Sequence, residues 1–458
     1  MSISKVLIAN RGEIAVRIIE ACRELDLQTV AIYSEPDRYQ PHVGLAGESY
    51  CIGPGDPEES YLNFPAVMSA ADISGADAIH PGYGFLAENS HFAEVCEDHG
   101  MRFIGPTSKV LQKAGDKLES KKMAKKAGAQ ILSGSLKPIS SEQELRSQAD
   151  DLGYPLIVKA ALGGGGRGMR VVEGEEELLN AFKTSKQEAQ KAFGNDDIYL
   201  ESFLEEPKHI EVQVIADTQG NITDIGERDC SIQRRHQKLI EEAPAPHLPE
   251  EVRREIRATA VAIAEEFGYR SLGTVEFLVD GELDFYFIEL NARLQVEHPV
   301  SEEIFGCNMI KDQLRLADGG ELKKSSYTES SGHAIECRMN AEDPSQNFVP
   351  SPGKISVIQL PGGHGVRVDT WIRDGLGVHS AYDSLLGKII VHGETRHAAI
   401  LKAISALRRF EIKGVKTTRD MYLDLLTHPE FRSGSYSIHF LENFMRSAGA
   451  EKSLRVSD

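Results

Sequence analysis

The sequence predicts a chain of several domains in the α/β and α+β classes. Three observations predict it. Short apolar strands alternate with helical repeats over roughly the first hundred residues, the pattern of a parallel sheet with helices on both faces. A run of four glycines, Gly163 to Gly166, breaks the middle of the chain. Beyond Gly320 the texture turns to strands joined by Gly/Pro turns, as in a mixed C-terminal domain.

The elements follow in order. "KVLIA" is an apolar strand, and Ile14, Ile18, Cys22 and Leu25 then recur at helical spacing. "TVAIYS", "ADAIHPGYG" and "MRFIGP" supply further strands, which makes the first domain Rossmann-like. Its first turn, "NRGEIA", lacks the G-x-G-x-x-G dinucleotide fingerprint, so a nicotinamide dehydrogenase is a poor fit. "DKLESKKMAKKAGA" reads as a charged helix ending at Gly128, with most of its lysines on a solvated face. A compact α+β stretch comes next: the strand "YPLIVKA", the loop "GGGGRGM" and a long polar helix. "HIEVQVIAD" and "ITDIGERDCSIQRRHQK" read as two strands, and "EEVRREIRATAVAIAEEFG" as a helix before a hairpin. Two last helices, "ETRHAAILKAISALRRF" and "TRDMYLDLLTH", close the C-terminal region. Domains are expected over 1–115, 116–320 (with a lid subdomain near 131–204) and 330–447, with a tail over 448–458.

Composition narrows the function. A chain of 458 residues exceeds one ordinary core. Its formal charge of -19 disfavours general affinity for nucleic acid or anionic membranes. The six cysteines show no metal-knuckle spacing and read as reduced thiols of a cytoplasmic protein. The N-terminus lacks signal-peptide architecture, and no apolar run is long enough to cross a bilayer.

Three motifs carry chemistry. In "GTVEFLVDGELDFYFIELN" a turn centred on "DGELD" sets Glu276 opposite Glu289, with Asn291 returning to the same face. Two carboxylates and an amide oxygen would suit a hard cation such as Mg²⁺. A solvent-facing strand pair and an acid/base pair of the glycosidase type are the other readings. The glycines of "VKAALGGGGRGMR" cost backbone entropy that packing does not justify, and can wrap N–H groups around phosphates or act as a lid. Lys159 precedes the glycines, so this is no Walker A loop, and a flexible surface hairpin is the blander reading. "RDCSIQRRHQK" holds five basic or imidazole side chains in eleven residues without interleaved aromatics. As a strand it would put His236 and Lys238 on one face, suited to a small anion.

Together "GDK", "YPLIVKAALGGGGRGMR", "ERDCSIQRRHQK" and "IELNARLQVEHPV" closely resemble the biotin carboxylase family, whose central fold is the ATP-grasp. "IANRGEIAVRI", "IHPGYGFLAEN", "ECRMNAEDP" and "YDSLLGKII" match in the same order over essentially the whole chain. The resemblance implies a two-step reaction. ATP and bicarbonate give carboxyphosphate, whose CO₂ unit passes to N1 of biotin. It implies ATP contacts at Lys117, Lys159, Gly164, Gly165, Gly166, His209, Gln233 and His236. Glu201 and Leu204 would hold the adenine and its surroundings. Glu276, Glu289 and Asn291 would form the metal site for Mg²⁺, with Mn²⁺ as a substitute and two ions expected. Lys238, Arg293, Gln295 and the Val296 backbone would bind bicarbonate, and Glu297 would be its base. Arg338, Asp383 and Tyr83 would lie on the biotin side.

Departures from the family pattern are few. Ala161 and Leu162 stand where relatives often carry serine and a further glycine, Ala114 where methionine is common, and Ala292 where threonine or proline is frequent. None removes a catalytic group, though Leu162 would stiffen the lid hinge. The chain carries no Met-Lys-Met biotinylation signature and nothing like a carboxyltransferase domain. The expectation is a separate subunit, weakly expected to be a homodimer, that carboxylates biotin on a carrier protein beside carboxyltransferase subunits. Acetyl-CoA carboxylase, feeding fatty acid synthesis, is the first expectation; pyruvate, 2-oxoglutarate and propionyl-CoA carboxylases are alternatives. A carboxylate–amine ATP-grasp ligase would not need "RLQVEHPV", "ECRMN" and "YDSLL". A non-catalytic scaffold would not need to keep Glu297 and Arg293.

Overall fold

A computed structural model describes residues 2–162 and 169–455. The N-terminal strands β1 (Lys5–Ile8), β2 (Gln28–Ser34), β3 (Glu48–Gly53), β4 (Ala78–His80) and β5 (Arg102–Phe103) form a parallel sheet in the order β3-β2-β1-β4-β5. Its central strands β2, β1 and β4 are apolar and largely buried, as a sheet covered on both faces requires, while the edge strand β3 is partly exposed. The turn after β1 holds no glycine-rich phosphate cradle. Instead Arg11 turns inward, pairs with Asp37 at 2.6 Å and lies 4.5 Å above the Tyr382 ring, joining this domain to the C-terminal region.

The expected lid region holds a small sheet of its own. Strands β6 (Leu156–Ala160), β7 (Arg170–Val172) and β8 (Ile198–Ser202) pair antiparallel in the order β7-β6-β8. Leu145, Val158, Val172, Leu178 and Leu200 give it a separate apolar core. The residues Gly164, Gly165 and Gly166, expected to touch ATP, lie outside the described residues.

The floor is an antiparallel sheet of eight strands. It contains β9 (Lys208–Ala216), β10 (Ile222–Arg234), β11 (Gln237–Ala243), β12 (Ser271–Val279), β13 (Phe285–Asn291), β14 (His333–Asn340), β15 (Val366–Thr370) and β16 (Leu385–Gly393). The order is β13-β12-β9-β10-β11-β14-β16-β15, so the C-terminal strands continue the central sheet across the expected domain boundary. The helix Glu250–Phe267 covers it with Ile256, Ala260, Ile263 and Phe267.

Two expectations change. "ITDIGERDCSIQRRHQK" is not one strand: Arg234 pairs with Gln237 around a two-residue turn, with φ of 49° at Arg235 and 65° at His236. Positive φ at both positions matches the right-handed twist of the flanking strands. His236 is therefore an exposed turn residue and does not share a strand face with Lys238. The chain also carries helices Pro429–Ser433 and Phe440–Arg455 beyond the two expected last ones, and the second runs into the supposed tail. Among the described residues no helix is long and apolar enough to cross a membrane.

Candidate active site

Strand register lines charged side chains up across the floor. Glu289 on β13 faces Glu276 on β12, Glu276 faces Glu211 on β9, and Glu211 faces Arg228 on β10. The hairpin pairing expected from the sequence is thus the pairing found. Glu211 and Arg228 are fully buried, and Glu276 nearly so. Such a row needs cations, and they come from β9, β11 and the helix Lys117–Lys126. The Lys238 ammonium lies 2.8 Å from Glu276 and 2.7 Å from Glu297, and also pairs with Glu211. His209 Nε2 lies 2.9 Å from Glu276, and Lys117 Nζ lies 3.0 Å from Glu289.

These contacts set the charges. Burial alone would favour neutral His209, but the Glu276 carboxylate raises its affinity for a proton. Burial would likewise raise Glu289, and the Lys117 charge holds it below its ordinary range. Lys238 stays firmly protonated because Glu211, Glu276 and Glu297 outweigh its desolvation.

Beyond Asn291 the chain leaves the sheet and turns back over it before the helix His298–Phe305. Arg293 donates to Gln295 at 2.6 Å, to Asn291 at 3.1 Å and to Glu88 at 2.9 Å. Gln295 in turn donates to Glu276 at 3.3 Å. Glu297 is the N-cap residue of the following helix and has no exposure. Burial would raise its pKa, yet Lys238, Arg338 and Arg228 hold it well below the usual carboxylate range. Arg338 reaches it at 2.9 Å and grips Glu241 at 2.6 Å.

Other expected residues occupy the rim. Lys159 pairs with buried Glu201, which also takes Lys121 from the helix Lys117–Lys126. Lys121 is therefore no member of a solvated face. Leu204 is half-buried just past β8, and Gln233 is buried beside Lys238 in the β10–β11 register. Tyr83 gives its hydroxyl to Glu13, while Asp383 is exposed, 3.7 Å from Arg11.

A hard cation fits part of this donor set. Glu276 and Glu289 present carboxylates from directly opposed positions, and the ligand atoms of His209, Glu211 and Glu276 lie within 4.8 Å of one another. Asn291 is less ready: its amide oxygen accepts from Arg293 and its nitrogen donates to Glu289 at 3.4 Å.

Sequence reading missed Glu211, Arg228 and Lys121 as site groups. Glu211 was accessible in principle, since it lies two residues from His209 and returns to the same strand face.

The fold and this array of carboxylates, lysines and an arginine loop define an ATP-grasp enzyme. Residues 2–111 match the family model for the biotin carboxylase N-terminal domain and 336–443 that for the C-terminal domain. Residues 116–325 match the ATP-binding domain of the carbamoyl-phosphate synthase L chain. The chain belongs to the biotin carboxylase family. It is 50% identical over 444 residues to biotin carboxylase 1 of Bacillus subtilis, covering 96% of this chain and 99% of the relative. It is 46% identical over 452 residues to a pyruvate carboxylase subunit of Methanothermobacter thermautotrophicus, covering 98% and 91%. The biotin carboxylase domain dimer of Hydrogenobacter thermophilus 2-oxoglutarate carboxylase, solved with MgADP, ADP and bicarbonate, superposes with a TM-score of 0.94. That match has 46% identity and covers 97% of this chain and 98% of the other.

Proposed function

We propose that this chain carboxylates biotin borne by a separate carrier protein, using ATP and bicarbonate through carboxyphosphate. The observation that carries the reading is the placement of Glu297. It is a buried carboxylate at the start of the helix His298–Phe305, and it lies between Lys238 and Arg338 with the Arg293 loop beside it. Bicarbonate is a weak nucleophile and needs a base held against its hydroxyl. As it enters between Lys238 and Arg293 it competes for the cations that now suppress Glu297. Each contact it takes from Lys238 returns proton affinity to that carboxylate. Arg293 offers a fork of donors for the oxygens and for the biotin anion as CO₂ arrives.

Lys117, Lys159, His209, Gln233 and His236 would hold ATP around the phosphates, with Glu201 and Leu204 at the base. Glu276 and Glu289, joined by Asn291 once its amide turns, would hold Mg²⁺ or Mn²⁺, which screens phosphate charge. Tyr83, Arg338 and Asp383 would face biotin. The relatives include pyruvate and 2-oxoglutarate carboxylases as well as proteins named only biotin carboxylase. The final acceptor is therefore assigned to the partner carboxyltransferase, with acetyl-CoA one choice beside pyruvate and 2-oxoglutarate. A homodimer of this chain, acting in the cytoplasm with a biotin carrier, is the working assembly.

The test supplies purified protein with ATP, Mg²⁺, bicarbonate and biotin, and follows ATP cleavage and carboxybiotin. Arg293→Ala is expected to lower biotin carboxylation by on the order of 10² to 10³, the scale for one preorganised electrostatic group, with ATP affinity near the parent's. Glu297→Gln keeps hydrogen bonding but cannot accept the proton, and should abolish bicarbonate-dependent cleavage. ATP cleavage with an amine acceptor, and none with bicarbonate and biotin, would overturn the proposal.

A further inference from the structure

A second line of buried charge runs under the 293–297 segment, away from the nucleotide. On β14 Arg338 faces Lys388 of β16, which faces Asp369 of β15. Lys388 has no exposure at all. Its ammonium donates to the Val296 carbonyl at 2.8 Å and lies 3.1 Å from Glu13. Glu13 is 3% exposed, in the first turn of the helix Gly12–Glu24, and the same carboxylate oxygen accepts the Tyr83 hydroxyl. The other Glu13 oxygen has no hydrogen-bond partner among the described residues. Tyr83, Glu13, Lys388 and Val296 therefore form one connected chain from the N-terminal domain, through the C-terminal strands, to the loop over the floor.

Burying an ammonium this completely is costly, and a methionine would fill much the same volume without that cost. What lysine adds is a donor to a carbonyl that belongs to no strand or helix, and a fixed charge for Glu13. Both additions act on walls of the chamber. One is the Gln295–Glu297 segment and the other is Tyr83.

We propose that Lys388 and Glu13 are positioning residues of the carboxylation. Lys388 fixes the Val296 segment in the direction that faces bicarbonate. Glu13, neutralised by Lys388, holds Tyr83, so that the bicarbonate side and the biotin side keep one spacing. This rests on the assignment of the 293–297 loop to bicarbonate and of Tyr83 to biotin. Its consequence is coupling. With the spacing lost, carboxyphosphate still forms on intact nucleotide contacts but gives up its CO₂ to solvent more often than to biotin.

The test uses the full chain as Lys388→Met and as the double variant Glu13→Gln/Lys388→Met, which removes the Glu13 carboxylate together with its ammonium and keeps a partner for Tyr83. Bicarbonate KM, ATP KM, carboxybiotin formed per ATP cleaved and melting temperature are measured together. Both variants are expected to raise bicarbonate KM about tenfold or more and to lower the yield of carboxybiotin per ATP severalfold, with ATP KM within about twofold, as small misplacements of reacting groups do. A double variant with the parent's bicarbonate KM and yield overturns the inference. So does a loss of all activities in step with the folded fraction, which would mark a packing role. A parent protein that carboxylates no biotin overturns the functional reading itself, and this inference with it.

Discussion

The two lines of buried charge differ in how they are balanced. The Glu289–Glu276–Glu211–Arg228 row has three carboxylates for one guanidinium, and its remaining cations reach in from outside the row. The Arg338–Lys388–Asp369 row is matched by opposite charges within the fold: Glu241 and Glu297 at Arg338, Glu13 at Lys388, and Arg367, held to Asp369 at 2.7 Å. A group that arrives at the first row can displace Lys117, His209 or Lys238 without leaving its charges bare. The second row is closer to balance, although one oxygen each of Glu13 and Glu241 has no hydrogen-bond partner among the described residues. On the proposed function the first row would handle nucleotide and metal, while Lys388 of the second would set the spacing of the walls.

The sharpest test compares the two ends of the first row. Arg228 closes its sealed end, bonded to Glu211, to Gln213 at 2.9 Å and to Ser301 at 3.1 Å. Arg228→Met should destabilise the protein by about 3 to 5 kcal/mol, because Glu211 is left buried with only Lys238 to neutralise it. Denaturant unfolding measures this. A loss below that range would mean that the sealed end is not structural.

The opposite face of the same sheet gives the next largest effect, and it is a matter of pH. Glu242, on β11, accepts from Arg396 at 2.7 and 2.9 Å and pairs with His333 at 2.6 Å. Burial would raise its pKa, but the hydrogen bonds from His333 and Arg396 reverse that and bring it to about 2. The folded state then binds fewer protons than the unfolded one between about 4.5 and about 2. Stability from this group is complete above pH 4.5 or so and is lost as pH falls toward 2, by about 3 kcal/mol in all. Unfolding free energies of the parent and Glu242→Gln across that window should converge in acid. Parallel curves would show that this pair contributes no pH dependence.

At the open end of the first row, function should change and stability should not. The Glu289 side chain is 25% exposed and leans on Lys117. Glu289→Gln is expected to shift the melting point little, as partly exposed pairs contribute about 1 kcal/mol or less. Turnover at limiting Mg²⁺ should fall on the order of 10², recovering in part as Mg²⁺ is raised, because Glu276 remains. A titration that overlays the parent's at every Mg²⁺ concentration would remove the cation from this end.

How legible each row was in the sequence follows from how it is built. Glu276 and Glu289 lie on one hairpin, so a turn and a two-residue period were enough to oppose them. Arg338, Lys388 and Asp369 meet across strands joined by long connections, and Glu13 comes from another domain. No local periodicity encodes such a meeting. His236 was misplaced for a related reason. Two consecutive residues with positive φ and neither glycine nor asparagine between the strands give no turn signal, so the hairpin read as one strand. Lys121 was lost because a lysine-rich helix looks solvated until Glu201 is brought beneath it.

The smallest effect tests the attachment of the lid to the floor. Leu162 forms a bridge with Asp116, and the carbonyl of Ala161 accepts from Lys117 N–H at 3.1 Å. The end of β6, just before the glycine run, is thus pinned to the start of the helix that carries Lys117. Asp116 is also the cap of that helix, accepting from Leu118 and Glu119 at 3.0 Å each. The hinge is held by backbone contacts, which Leu162→Gly would retain. The change adds backbone freedom worth about 0.5 to 1 kcal/mol, and removes a half-buried apolar side chain. A shift of that size alters an opening equilibrium only severalfold, so turnover should move by less than about fivefold and Mg²⁺ dependence should stay the parent's. Rapid mixing with ATP, followed by steady-state turnover at saturating bicarbonate, separates closure from chemistry. A loss of a hundredfold or more would place Leu162 among the residues that define the closed site.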